Sequence, residues 1–283
     1  MKWLVYGSKG WIGGMVVARL SQRGETVVEA TARADDEKAV DKEIIEVAPD
    51  RILCLIGRTH GQGYSTIDYL EQKGKLVENV RDNLYAPMVL ALLGKAHGIH
   101  VTYLGTGCIF TDTPSDTRFT EENKPNFFGS GYSTVKGFTD RLMHFFFDSV
   151  LNLRIRMPIV GYHHPRNFIT KITSYEKICS IPNSMTVLDD MIPLMIRLAS
   201  EKTTGTINLT NPGTISHNEI LEMYKKYVDP EFTWKNFTIE EQSKILLSER
   251  SNNELDTTRL RILCPDVPSI HSSIETLFSH WTR

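Results

Sequence analysis

Seven residues near the start of the chain, Gly7-Ser8-Lys9-Gly10-Trp11-Ile12-Gly13, restrict its fold more than any other stretch. An apolar run over residues 3–6 leads into them and a helical pattern over 11–20 leads out, so the glycines lie where a strand turns into a helix. Glycine at such a turn lets the backbone approach closely and leaves the first amides of the helix facing an anion. That arrangement cradles the pyrophosphate of a dinucleotide. A glycine triplet in isolation also makes a plain tight turn; its place after a first strand and before further strand–helix alternation favours the dinucleotide reading.

The alternation continues. Strands are predicted over 26–28, 52–55 and 101–104, with a helix carrying Val40, Ile44 and Val47 between the first two. A long helix over 75–97 presents Val80, Leu84, Val89, Leu92 and Leu93, and a second over 133–147 precedes a strand over 153–156. Strands and helices in turn imply an α/β fold with a Rossmann-type, doubly wound parallel sheet over 1–157. After Pro158, loops containing Pro165, Pro182, Pro212 and Pro230 separate short elements. This predicts a smaller carboxyl-terminal lobe over 158–283 that binds substrate and returns some segments to the first domain, rather than another βαβ repeat. Ser216-His217-Asn218-Glu219 reads as a capping box at the start of a helix.

Charge and cysteine usage narrow the function class. The 32 basic and 34 acidic residues are well mixed, with a net charge of -2, which argues against nucleic acid or a membrane surface and for a small-molecule partner. Cys54, Cys108, Cys179 and Cys264 contain no CxxC pair, which argues against a disulfide framework or a structural zinc site. No stretch approaches the roughly 18 apolar residues of a membrane span, and a reducing, cytoplasmic setting is expected. His163 and His164 are adjacent and lack a suitably spaced carboxylate, so they are read as loop and no metal is expected. The sequons at Asn208 and Asn236 would go unused in the cytoplasm.

Within the predicted first domain, Glu29 ends the second strand, and Arg33 follows closely, with Lys9 inside the glycine loop. Two cations beside the adenosine ribose favour a 2′-phosphate, hence NADPH with NADH as the alternative; both also read as ordinary solvated charges. Gly57 and Asn83 fall at the carboxyl side of the sheet, near the cofactor, or are a turn glycine and a helix-surface amide.

Tyr132 and Lys136 form YxxxK, and their i, i+4 spacing puts phenol and ammonium on one helix face. A nearby cation stabilises a phenolate and moves its pKa toward neutrality, which suits proton transfer. Thr106-Gly107-Cys108 follows a strand end, where open α/β sheets hold their ligands. Thr106 is placed to hydrogen-bond a carbonyl oxygen. Cys108 reads either as a small buried hydrophobe or as a proton-transfer group.

At these residues the chain resembles the extended short-chain dehydrogenase/reductases. The second half is closer still to one branch. Met157-Pro158, the segments 167–171, 181–186, 216–224 and 232–237, and 250–256 resemble the UDP-4-keto-6-deoxyglucose 3,5-epimerase/4-reductases of UDP-L-rhamnose synthesis, found alone or as the carboxyl-terminal half of plant rhamnose synthases. The resemblance runs nearly end to end and includes Thr-Gly-Cys at the strand end. It implies that Cys108 and Lys171 move protons at the sugar carbons, while Tyr132, Lys136 and Thr106 serve the reduction. It also implies that Asn167, Asn183, Trp234, Asn236 and Arg250 hold the uridine diphosphate.

The expected cofactor set is therefore Gly7, Lys9, Gly10, Trp11, Ile12, Gly13, Arg33, Gly57 and Asn83, with Tyr132 and Lys136. The expected partner is a UDP-linked 4-keto-6-deoxy sugar supplied by a separate UDP-glucose 4,6-dehydratase, and a homodimer through the two long helices suits such a fold. Two rival readings are a simple 4-keto-sugar reductase and a non-catalytic NADP-binding regulatory subunit. Cys108 with Lys171 argues against the first, and Tyr132 with Lys136 against the second.

Overall fold

The computed structural model describes residues 1–113 and 118–282. Its centre is a six-stranded, all-parallel sheet. The first half of the chain contributes β1 (Lys2–Tyr6), α1 (Trp11–Gln22), β2 (Thr26–Glu29), α2 (Glu37–Val47) and β3 (Arg51–Cys54). After these come α3 (Leu76–Val80), α4 (Ala86–Ala96), β4 (His100–Thr106), the short β5 (Arg118–Phe119), α5 (Gly131–Met143) and β6 (Val150–Ile155).

The second half forms β7 (Pro158–Ile159), α6 (Phe168–Ser174), β8 (Lys177–Ile178), β9 (Thr186–Val187), α7 (Leu188–Ser200) and β10 (Gly205–Asn208). It closes with α8 (His217–Tyr227), β11 (Lys235–Asn236), α9 (Ile239–Ser243), β12 (Glu254–Leu255), α10 (Thr258–Leu263) and α11 (Ile270–Ser279).

The strand order is β10-β6-β4-β3-β1-β2, so the direction of winding reverses between β1 and β3. A crevice opens over the carboxyl ends of strands at such a reversal, and ligands of open α/β sheets lie there. Side chains alternate across the sheet as its two-residue period requires. Trp3 and Val5 pack with α1 and α7 on one face, whereas Leu4 and Tyr6 pack with α2 and α4 on the other. A third cluster, including Ile159, Ile169, Ile220 and Phe278, forms the core of the second lobe.

Two expectations need correction. The second half does return a further crossover to the sheet: β10 pairs in parallel with β6, and α7 precedes it on the sheet face. The apolar run of Leu188, Met191, Ile192, Met195 and Ile196 has helical period and explains this; the surrounding prolines obscured it. The long helix of residues 76–96 is also interrupted by a π-helical turn over Arg81–Tyr85. The wider turn rotates the buried face, so Asn79 and Asn83 point inward while Val80 and Leu92 are exposed. The capping box forms as read, with Ser216 and Glu219 satisfying each other's backbone amides.

Candidate active site

Gly7 has φ +86°, and a Cβ there would lie 2.8 Å from the backbone of Leu55 on the neighbouring strand's exit. At Gly13 a Cβ would lie 2.0 Å from the Gly7 carbonyl oxygen. The loop can therefore fold back tightly only with glycine at both places. Gly10 caps α1 without any side-chain hydrogen bond, leaving the amide end of that helix open toward the crevice.

Gly10, Trp11, Ile12 and Gly13 line a cavity of about 390 Å³ over the sheet edge. Leu55, Ile56 and Gly57 line it from the β3 exit. Lys9 and Arg33 are exposed and outside its wall; Arg33 meets Asp35 at 2.9 Å. Asn83 does not face the cavity either. Its amide accepts from the Arg58 N–H and donates to the Arg58 carbonyl, both at 2.9 Å, so it clamps the loop that carries Gly57.

Two contacts join the second lobe to this wall. Trp11 stacks on His164 with centroids 4.7 Å apart, and Arg166 meets His60 in a hydrogen bond. His163 turns instead to the edge of Trp281, so the adjacent histidines serve different partners.

The groups for chemistry meet at the ends of β4 and α5. Ser130 caps α5 by accepting from the Ser133 N–H at 3.0 Å, which fixes the first turn and the direction of Tyr132. The Tyr132 phenol is buried close to the Thr106 hydroxyl. Burial pushes its pKa up, the charge of Cys108 adds to this, and Thr106 opposes it. The expected lowering by the lysine is thus not found. Lys136 donates instead to the Tyr103 hydroxyl at 2.5 Å and lies 4.6 Å from that ring's centre. Burial brings the Lys136 pKa down to about 8, against the charges of Cys54, Asp140 and Cys108.

Cys108 donates its backbone N–H to Thr106 Oγ1 at 3.1 Å, closing a turn that leaves the residue half-buried at the cavity wall. A second cavity, of about 760 Å³, extends under the second lobe past Phe168, Ile178, His217 and Phe237. Cys108 and Tyr132 line both cavities, so they stand where the two meet.

Lys171 enters from α6 and lines the first cavity. Burial lowers its pKa, and Arg166 and Arg250 push in the same direction. Arg250 lines both cavities and pairs with Asp68 at 2.8 Å.

Four expected substrate residues lie outside both walls. Asn167 is fully buried and holds the Val160 and Tyr162 carbonyls as it caps α6. Asn183 is buried among Arg156, Asn252 and the Asn253 amide. Trp234 stacks on Phe232 and donates to Asn218, and Asn236 is exposed on β11, one position before the cavity residue Phe237. Asn167, committed to backbone, and Asn183, committed to Arg156, Asn252 and backbone, support the walls rather than form them. Sequence reading missed Tyr103, Arg156, His60 and Arg166. Of these, only Arg156, at the end of a predicted strand, carried a local signal.

Among the described residues no cluster of His, Cys, Asp and Glu is placed to hold a metal. No helix there is long and apolar enough to cross a membrane.

No family model matches the chain. The L780 UDP-rhamnose synthase of Acanthamoeba polyphaga mimivirus, known from a crystal structure, is 61% identical; the match covers 99% of both chains with a TM-score of 0.97. The bifunctional dTDP-4-dehydrorhamnose 3,5-epimerase/dTDP-4-dehydrorhamnose reductase of Arabidopsis thaliana is 42% identical over 277 residues, 96% of this chain and 90% of that protein. A trifunctional UDP-glucose 4,6-dehydratase/UDP-4-keto-6-deoxy-D-glucose 3,5-epimerase/UDP-4-keto-L-rhamnose-reductase of the same plant is 40% identical, but this match spans 41% of its length.

Proposed function

This chain belongs to the nucleotide-sugar 3,5-epimerase/4-reductases of rhamnose synthesis, and from that premise we propose that it converts UDP-4-keto-6-deoxy-D-glucose to UDP-L-rhamnose with NADPH. The observation that carries the assignment of roles is the place of Cys108 and Tyr132 at the junction of the two cavities. A nucleotide sugar lying in the larger cavity would bring its hexose to that junction, with the cofactor in the smaller one.

The glycine cradle fits a dinucleotide: two Cβ positions are forbidden where its pyrophosphate would approach, and the α1 amides are uncapped. Gly7, Gly10, Trp11, Ile12, Gly13 and Gly57 would hold it, with Lys136 near its ribose. Lys9 and Arg33 would meet the 2′-phosphate. The Arg33–Asp35 pair is exposed, and such a pair contributes little and exchanges readily. When bound, NADPH supplies the hydride that reduces C4.

Hydrogens at C3 and C5 are acidic because the C4 carbonyl accepts the electron pair left behind. Cys108 and Lys171 approach from the sheet and from α6, so one removes a proton and the other returns one on the opposite face, as inversion requires. Thr106 and Tyr132 donate to the C4 oxygen in the enolate, and Tyr132 gives its proton there in the reduction. Arg250 faces the diphosphate, releasing Asp68.

The substrate's 4-keto group requires a 4,6-dehydratase upstream. A homodimer through α4 and α5 is supported by the exposed Leu92 and Phe138, and a reducing cytoplasm by free thiols at all four cysteines.

Proton NMR of UDP-4-keto-6-deoxyglucose with the protein in heavy water tests this reading. Deuterium should enter C3 and C5, and UDP-rhamnose should follow once NADPH is added. Reduction without exchange would leave a simple reductase, and neither reaction would leave a binding protein.

A further inference from the structure

The loop that joins β7 to α6 is held firmly at both ends. Asn167 donates to the Val160 and Tyr162 carbonyls at 2.9 and 2.8 Å and accepts from the Ile169 N–H. The His164 N–H donates to the Thr170 hydroxyl at 3.2 Å, and His164 Nδ1 accepts from the Arg166 N–H at 3.1 Å. With its nitrogen fixed in this way, the His164 ring lies on Trp11, within 6° of parallel. Trp11 is the first residue of α1, at the open amide end of the glycine cradle. The second lobe thus docks on the cradle at a defined place, with Arg166 two residues from the contact.

Arg166 crosses from that loop to the first domain, where its Nη2 meets Nε2 of His60 on the segment leaving β3. A guanidinium can only donate, so His60 Nε2 presents its lone pair and the neutral ring carries its proton on Nδ1, a buried atom with no partner. Burial, Arg166 and the nearby cations all oppose a second proton on the ring. A neutral imidazole aims the guanidinium without balancing its charge. Among the described residues no carboxylate pairs with Arg166, and burial alone shifts its pKa, downward. Other cations of the region differ: Arg58 is paired with Asp82 at 2.5 Å and Arg250 with Asp68 at 2.8 Å.

A half-buried guanidinium held by a neutral partner at a cavity wall suits an anionic ligand, to which it offers charge-assisted hydrogen bonds. Arg166 shares the wall of the smaller cavity with Gly10, Trp11 and Ile12, and it is absent from the wall of the larger one. We propose that Arg166 is a cofactor-binding residue: the second lobe reaches over the glycine cradle and donates its guanidinium to the diphosphate of NADPH, holding the cofactor between the lobes. His60 is the positioning residue that aims it. The inference rests on the reading of the smaller cavity as the cofactor's. Lys171, in the same wall, reaches instead toward the Ser65 carbonyl, at 3.5 Å. Arg250 belongs to both cavities, and Lys9 and Arg33 to neither. The group that Arg166 recognises is therefore the diphosphate that NADH and NADPH share, rather than the 2′-phosphate or the sugar nucleotide.

The test is calorimetric titration of the purified protein with NADPH, NADH and UDP. Arg166→Gln should weaken NADPH and NADH by the same factor, on the order of 10- to 100-fold, and leave UDP affinity little changed; Arg166→Lys should recover part of the loss. His60→Phe should weaken both dinucleotides less than Arg166→Gln does, and should add nothing in the Arg166→Gln background, as a residue acting only through Arg166 requires. A loss confined to UDP assigns Arg166 to the sugar nucleotide, a loss confined to NADPH assigns it to the 2′-phosphate, and an equal loss for all three ligands marks a general disturbance of the lobe; each overturns the proposal, as does unchanged binding. In the unmodified protein, hydrogen–deuterium exchange over residues 160–168 should slow when NADPH is added, and exchange that does not slow overturns the proposal even if no variant folds. Absence of NADPH binding to the unmodified protein would overturn the cofactor reading as well. Arg166-dependent NADPH binding without conversion of the sugar would sink the proposed reaction and leave this inference standing.

Discussion

Lys136 offers the sharpest quantitative test, because its partner is a residue that can lose one atom and keep its packing. Tyr103 is buried in the sheet face formed by Leu4, Cys54 and Val101, and its hydroxyl accepts from the Lys136 ammonium at 2.5 Å. Tyr103→Phe removes that acceptor while the ring stays under the cation. A hydrogen bond to a charged group contributes about 1.5–3 kcal/mol, and one pKa unit corresponds to about 1.4 kcal/mol. The Lys136 pKa, already brought down to about 8 by burial, should therefore fall by a further one to two units, as roughly 1.5–3 divided by 1.4 gives.

The consequence is a change of protonation within the working range. Taking the smaller shift, the protonated fraction near pH 7.5 drops from about three-quarters to about one-quarter. The pH profile of kcat/KM for NADPH reports groups of the free enzyme. Its high-pH limb, followed through the ultraviolet absorbance of NADPH, should move from near 8 to about 7, with little change at about pH 6. A limb that stays near 8, or a loss equal at all pH values, would refute the claim that Tyr103 sets the charge on Lys136.

Tyr132→Phe should lower the rate of reduction about 10²- to 10⁴-fold while C3 and C5 exchange persists in part; Cys108→Ala should stop epimerisation while NADPH still binds, and a normal product rate would return the cysteine to a packing role. Gly13→Ala forces a methyl to within 2.0 Å of the Gly7 carbonyl oxygen, so it should cost about 1–3 kcal/mol in stability and weaken NADPH binding, both readable from thermal melts with and without cofactor. Burial pushes the Asp140 carboxyl up, but the Arg154 charge and hydrogen bonds prevail and hold it below its ordinary 3.8. Its stabilising contribution is thus complete above that value and is lost as pH falls toward the folded-state pKa. Asp140→Asn should cost about 3–5 kcal/mol near neutrality in urea unfolding, and the gap to wild type should narrow below pH 3.8.

The parts of the site that could be read from sequence are those fixed by local spacing. Gly7, Gly10 and Gly13 follow a strand, and Tyr132 and Lys136 are one helical turn apart; neither relation needs a third element. The parts that could not be read depend on distant packing. Arg156 reaches Gly107 across 49 residues and Ser251 across 95, and no short-range pattern encodes such a meeting. The same limit explains Asn167 and Asn183. Both lie in segments rich in family resemblance, yet the side chain of Asn167 holds backbone and that of Asn183 holds Arg156, Asn252 and backbone, so a resemblance marks their importance without separating a wall residue from its support. Lys136 shows the subtler case: the spacing to Tyr132 was legible, but the buried acceptor that captures the ammonium lies on β4, outside any helical rule.

Placing both reactions at one junction also fixes their order. Enolate and reduced alkoxide both put negative charge on the C4 oxygen, so the same two proposed donors, Thr106 and Tyr132, would serve each. Burial keeps the Tyr132 phenol protonated, which makes it a donor that epimerisation uses without consuming. Under the proposed roles, reduction spends that proton and, by removing the carbonyl, ends the acidity at C3 and C5 on which Cys108 and Lys171 would act. A sugar reduced too early is therefore fixed with uninverted carbons, and the enzyme makes rhamnose only if proton exchange outruns hydride transfer. Burial, with Arg166 and Arg250, lowers the Lys171 pKa, which suits its proposed share in the proton exchange that has to come first.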